Sequence, residues 1–124
     1  MLSEKYIKLR NDFSRYPLLY NTVMLSTRDA RIARRVKRRL SEITPVKRLL
    51  VYGSRARGNP TKYSDLDLYI ELETHVNSAL RRRIREVAWE VSLDSGVVIT
   101  TLVASERLNG QPILKTIKAE GIAI

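Results

Sequence analysis

Gly53 and Ser54, followed ten residues later by Asp65 and Asp67, form the stretch of this 124-residue chain whose residue types and spacing describe a chemistry. Glycine admits positive φ and close backbone approach, and exposed N–H groups beside a serine hydroxyl suit a phosphate oxygen. An Asp-x-Asp pair in an extended segment turns both carboxylates to one face, about 7 Å apart at ~3.3 Å of rise per residue. That spacing suits one or two hard divalent cations. Magnesium prefers oxygen ligands and keeps water and substrate phosphates in its shell, so few protein ligands suffice. Arg55 and Arg57, between the two pairs, add charge for a polyphosphate. The alternative is a polar hairpin loop with an ordinary Asp pair, and the full string, with Arg-x-Arg-Gly and Ser64 ahead of Asp65, favours the nucleotide-handling reading.

The elements that must hold these residues follow from periodicity. Residues 47–52 are short and apolar between a basic pair and a glycine, which predicts a buried strand ending at Gly53. From Asp65 the chain alternates, so Asp65, Asp67, Tyr69 and Glu71 share one face and Leu66, Leu68, Ile70 and Leu72 the other. Upstream, Ser26 or Thr27 caps an amphipathic helix with Asp29 in its first turn and an apolar stripe of Ile32, Val36, Leu40 and Ile43, ending before Pro45. Downstream, Thr74 caps a helix over 76–93 whose stripe is Leu80, Ile84, Val87, Ala88 and Val91, with Trp89 at the core or its edge. The β-branched run 97–103 reads as a third strand. A last helix starts with Pro112 at its first position and stops at Gly121, leaving Ile122 and Ile124 for the core or a partner.

The Gly-Ser, ten residues, Asp-x-Asp string resembles the signature of the minimal nucleotidyltransferases, small members of the DNA polymerase β-like superfamily. Gly53, Ser54, Asp65 and Asp67 match the signature, and Arg55, Ala56, Arg57, Gly58, Ser64 and Leu66 match its usual fillers. The resemblance implies an α+β fold, a short mixed sheet of three to four strands backed by helices on one face. It also implies Asp65 and Asp67 as catalytic metal ligands, Gly53 and Ser54 as phosphate contacts with Arg55 and Arg57 assisting, and Mg2+ with a nucleoside triphosphate, by resemblance ATP. Such domains often act as antitoxins of HEPN-type toxins, in catalytic cases by moving AMP onto a toxin tyrosine. The match is close over residues 47–72, looser through 120 and weak before 26, which divides the chain into an aromatic-rich arm, 1–25, and a nucleotidyltransferase domain, 26–124.

Composition fits one small domain with a single core. The absence of cysteine excludes disulfides and thiolate metal sites. With no apolar run near ~18 residues and no signal-peptide pattern, a cytoplasmic protein is expected. His75, the one histidine, reads as a surface residue without a catalytic partner. The formal charge of +10 permits a polyanionic or acidic partner, and between Arg28 and Arg48 nine basic residues face two acidic ones. These arginines form either a solvated face or a docking surface for RNA or an acidic protein. The arm holds Tyr6, Phe13, Tyr16 and Tyr20, divided by Pro17, and serves core packing or a dimer or partner contact.

One residue type is missing. Active relatives by resemblance carry a third carboxylate on the strand after the Asp pair, and no acid occurs from 97 to 104. Thr100 or Thr101 takes that place, or Asp94 or Glu106 reaches in from outside the run. Two functions therefore stand beside each other, a Mg-dependent nucleotidyltransferase antitoxin and a catalytically degenerate protein that neutralises a partner by contact; an RNA-binding module is a third.

Overall fold

The structure, a computed structural model, describes Tyr6, Ile7 and residues 25–124. Its elements in chain order are β1 (Tyr6–Ile7), β2 (Leu25–Ser26), α1 (Thr27–Ser41), β3 (Val46–Tyr52), β4 (Leu66–Leu72), α2 (Ser78–Ser95), β5 (Ile99–Val103), a 3₁₀ turn (Glu106–Leu108), α3 (Pro112–Glu120) and β6 (Ile122–Ala123). Strands β1 and β2 pair with each other, and the other four form one mixed sheet in the order β5-β4-β3-β6. The β3–β4 and β3–β6 pairs are antiparallel, whereas β4 and β5 run parallel because α2 carries the chain back across the sheet. The expected α+β fold with a short mixed sheet is the observed architecture; helices α1 and α2 back one face as expected, and α3 adds cover to the other. Most of the aromatic arm expected at 1–25 lies outside the described residues.

The register sorts the sheet into two faces. Leu49 pairs with Ile70, Val51 with Leu68 and Leu66 with Ile99. These six side chains are at most 8 % exposed and meet Ile32, Val36 and Leu40 of α1 and Ile84, Val87 and Val91 of α2 in one apolar cluster. Each such burial contributes roughly 1.5–3 kcal/mol, which fixes the register, since a slip of one residue would turn the whole set outward. The alternate residues face the other way: Tyr52, Asp67 and Thr100 lie in register across three strands, as do Leu50, Tyr69 and Leu102. On that face α3 packs against β3, with Ile117 fully buried and Gly121 against the Leu50 side chain.

The helices begin and end where local chemistry dictates. Ser26 accepts from the Asp29 N–H to cap α1, and Asn77, three residues beyond the expected Thr74 position, caps α2 by accepting from the Leu80 N–H. Gly96, at φ 74°, closes α2 in the left-handed conformation, so the helix runs through Asp94 and Ser95, two residues past the expected end at 93. Trp89 is 65 % exposed, not core. At ~100° per residue it sits about 150° from the middle of the buried Ile84–Val87–Ala88–Val91 stripe, on the solvent side. Tyr69, on the polar face by alternation, is nonetheless 6 % exposed.

Candidate active site

Thirteen residues, 53–65, separate the hairpin strands β3 and β4. Antiparallel neighbours can be joined by two residues, so a connection this long is a structure in its own right. Its first turn closes with the Arg57 N–H donating to the Gly53 carbonyl and the Asn59 N–H to the Ser54 carbonyl, at 3.1 Å each. Ala56, 2 % exposed, anchors the turn in the core. Its last turn, Thr61 to Ser64, closes with the Thr61 N–H on Ser64 Oγ at 2.9 Å.

Arg55 ties the two turns together. Its Nη2 and Nε donate to the Ser64 carbonyl at 2.8 and 3.0 Å, and its Nη1 lies 3.2 Å from both oxygens of Asp29 on α1. The Arg55 side chain is 11 % exposed and that of Asp29 2 %, so this guanidinium braces the loop from within. Arg57 turns instead to Glu120, at 3.0 and 3.1 Å. The same carboxylate accepts from the Gly53 N–H at 3.0 Å. Glu120 is a site residue that the sequence did not reveal, since its partners lie 63 and 67 positions away and no spacing rule links them.

Gly53 and Asp67 meet directly. Gly53 has φ 79°, and a Cβ placed on it would run into Asp67 Oδ2, so a glycine is required twice over, by conformation and by space. Asp67 is half-buried at the start of β4, while Asp65 is exposed one residue ahead of the strand. The structure thus brings Asp67 against the glycine turn, with Asp65 exposed as the last residue of the loop. On its other side Asp67 Oδ1 accepts from Thr100 Oγ1 at 2.5 Å. The Tyr52 phenol, next in register, is held above its ordinary value by burial first and by the Asp67 charge second.

Thr100 therefore stands beside Asp67 in the place where an acid was sought. Asp94 pairs with Arg35 between α1 and α2, and Glu106 lies beyond the far end of β5, so neither reaches Asp67. Among the described residues no three of His, Cys, Asp and Glu gather to hold a metal ion. Two carboxylates of oxygen donors fit one hard cation that shares its shell with water and phosphate.

The sequence matches the family model described as a nucleotidyltransferase domain over residues 33–124. The chain belongs to this nucleotidyltransferase domain family. Among solved structures, the nucleotidyltransferase domain is similar to a chain of the MntA–HpeT toxin–antitoxin complex in a doubly substituted form. There the TM-score is 0.58 at 12 % identity, covering 77 % of this chain and 70 % of that one. A toxin–antitoxin structure with AMP-PNP gives TM-score 0.56 at 14 % identity over 73 % and 70 % of the two chains. A tri-AMPylated Shewanella oneidensis HEPN toxin in complex with MNT antitoxin gives 0.53 at 12 % over 77 % and 70 %. Likeness at these identities shows a shared fold. No curated protein matches the sequence. Among the described residues of the nucleotidyltransferase domain, no helix is long and apolar enough to cross a membrane.

Proposed function

We propose that the chain is a Mg2+-dependent nucleotidyltransferase domain that binds a nucleoside triphosphate, ATP by the likeness to the AMP-PNP structure, and acts as the antitoxin of a HEPN-type toxin. The observation that carries the reading is the close approach of the Gly53 turn to Asp67, which sets the backbone of a positive-φ glycine turn beside a carboxylate on strand β4. In this reading Asp65 and Asp67 hold the cation, and Gly53 and Ser54 contact phosphate. Arg57 supplies charge once it is shared with or released by Glu120. Arg55 keeps a positioning role, because its donors are already spent on Asp29 and Ser64. When bound, Mg2+ neutralises charge on the phosphates and orients the one to be transferred, here to a protein hydroxyl.

The test is a mass-shift transfer assay with Mg2+, ATP and a purified HEPN-type partner. An added mass of one nucleotide monophosphate on the partner, lost in Asp67→Asn, is expected. Stable complex formation without an adduct from any nucleoside triphosphate would overturn the transfer reading.

A second reading rests on Thr100. A hydroxyl cannot replace the negative charge that completes a two-metal clamp or activates an attacking hydroxyl, so its presence reduces chemistry more than binding. On that reading the domain neutralises its partner by contact, and the Asp65→Asn with Asp67→Asn variant neutralises as well as the natural chain.

A further inference from the structure

Three arginines line a cavity that neither Asp65 nor Asp67 borders. It has a volume of about 500 Å³ and lies between α2 and the outer strand β5, with Arg81 and Arg85 from α2 and Arg107 from the 3₁₀ turn. No carboxylate lines it. The contrast with the rest of α2 is sharp: its acids Glu86, Glu90 and Asp94 are paired with Arg83, Arg39 and Arg35. The guanidinium groups of Arg81, Arg85 and Arg107 have no ion-pair or hydrogen-bond partner among the described residues. Three like charges around one cavity repel each other, and an anion of matching geometry removes that cost.

The remaining lining specifies the anion further. Thr101 and Ser105 add hydroxyl groups that are unpartnered among the described residues. The ladder to β4 uses the even-numbered residues of this segment, since Leu66 N–H donates to the Val98 carbonyl and Ala104 N–H to the Ile70 carbonyl. The odd-numbered residues turn their backbone groups outward, as Ile99 shows by donating to Ser92 Oγ, so the N–H groups of Thr101 and Val103 face the cavity side. Ile84, Val103 and Leu108 make an apolar wall. Guanidinium forks, hydroxyls and free N–H groups suit phosphoryl oxygens, and an apolar wall suits the organic part of an ester.

We propose that this cavity binds a phosphate ester at a site separate from Asp65 and Asp67, with Arg81, Arg85 and Arg107 on the phosphoryl oxygens and the Ile84–Val103–Leu108 wall against the ester group. The ester is either a mononucleotide or the terminal phosphate of an RNA strand, which share this chemistry.

The probes are AMP and a short 5′-phosphorylated RNA, titrated into the whole chain in EDTA. Calorimetry and the fluorescence of Trp89, the single tryptophan and one turn from Arg85, report binding. Arg81→Ala with Arg107→Ala is expected to weaken binding about tenfold or more, while Asp65→Asn with Asp67→Asn and the exposed control Arg34→Ala leave it unchanged. AMP binding with this pattern identifies a mononucleotide site, and RNA binding alone with the same pattern identifies a strand end. An equal loss in Arg34→Ala, a loss in the Asp65 and Asp67 variant, or no binding of either probe would overturn the proposal. The three arginines are exposed, and unchanged circular dichroism and melting of the variants certify that the fold is kept.

Discussion

Thr100 Oγ1 donates to Asp67 Oδ1 across the parallel β4–β5 pair, so a hydroxyl, not an acid, is the neighbour of Asp67 on the next strand. Thr100→Asp places two carboxylates side by side in the ladder, where like charges repel. Without divalent cation its melting temperature is expected to fall by about 5 °C, as for a loss near 1 kcal/mol in a domain of this size. Saturating Mg2+ restores it, and nucleotide transfer rises above that of the natural chain. A melting temperature of the variant indifferent to Mg2+ would place residue 100 away from the cation.

Gly53→Ala attacks the same carboxylate from the other side. The new methyl meets Asp67 Oδ2 at a backbone φ of 79° that alanine disfavours. A cost of roughly 1–3 kcal/mol is expected from conformation alone, read as a lower urea midpoint with an unchanged slope. Mg2+-nucleotide binding is lost with it. At Gly96, where φ is also positive but nothing lies within 4 Å of the added carbon, the alanine variant keeps nucleotide binding and shows a stability cost only.

The Asp29–Arg55 pair holds the long loop to α1 from a nearly dry position. Asp29→Ala leaves the guanidinium buried against Ser64 alone, and breaking such a pair from one side costs about 3–5 kcal/mol. The double variant with Arg55→Ala is expected to be less damaged than the two single losses summed, which a double-mutant cycle in urea would measure. Additive losses would show that the two side chains act independently.

Tyr69 sets an alkaline limit. Burial holds its phenol above the ordinary 10.0, and the charge and hydrogen bond of Glu71 push the same way, against a smaller opposing effect of Arg48. The unfolded chain therefore releases this proton at lower pH than the folded one. Stability is unaffected at neutral pH and falls as pH rises past about 10, because the unfolded state binds fewer protons there. Tyr52 acts in the same direction. Tyr69→Phe should flatten the decline in a series of urea midpoints from pH 9 to 11, and an unchanged slope would assign the decline to other groups.

Much of this arrangement was legible in order along the chain. The strands expected at 47–52 and from Asp65, a cap at Ser26 or Thr27 and Pro112 at the start of α3 follow from nearest-neighbour physics, in which period, cap and turn chemistry act within a few residues, whereas the expectation of a third acid near Thr100 or Thr101 came from the family resemblance. Trp89 lies on the solvent side and not at the core, because its rotation about α2 puts it opposite the buried stripe and helical phase outweighs aromatic bulk. The partners of the two loop arginines were not legible. Asp29 is 26 positions from Arg55 and Glu120 is 63 from Arg57, and long-range ion pairs leave no period behind. The start of α2 shifted for a related reason: Asn77 and Thr74 are both competent caps, but the Thr74 hydroxyl is hydrogen-bonded to that of Thr44, 30 positions away, and Asn77 caps the helix.

Glu120 gives the glycine turn a resident anion of its own. One N–H at Gly53 serves either that carboxylate or an arriving oxyanion, and Arg57 is shared on the same terms. Occupancy of the turn and the seating of residues 112–123 are then a single linked equilibrium. An anion that took the Gly53 N–H would have to displace Glu120 and would thereby loosen the last helix, and a contact that drew α3 aside would open the glycine by the same free energy.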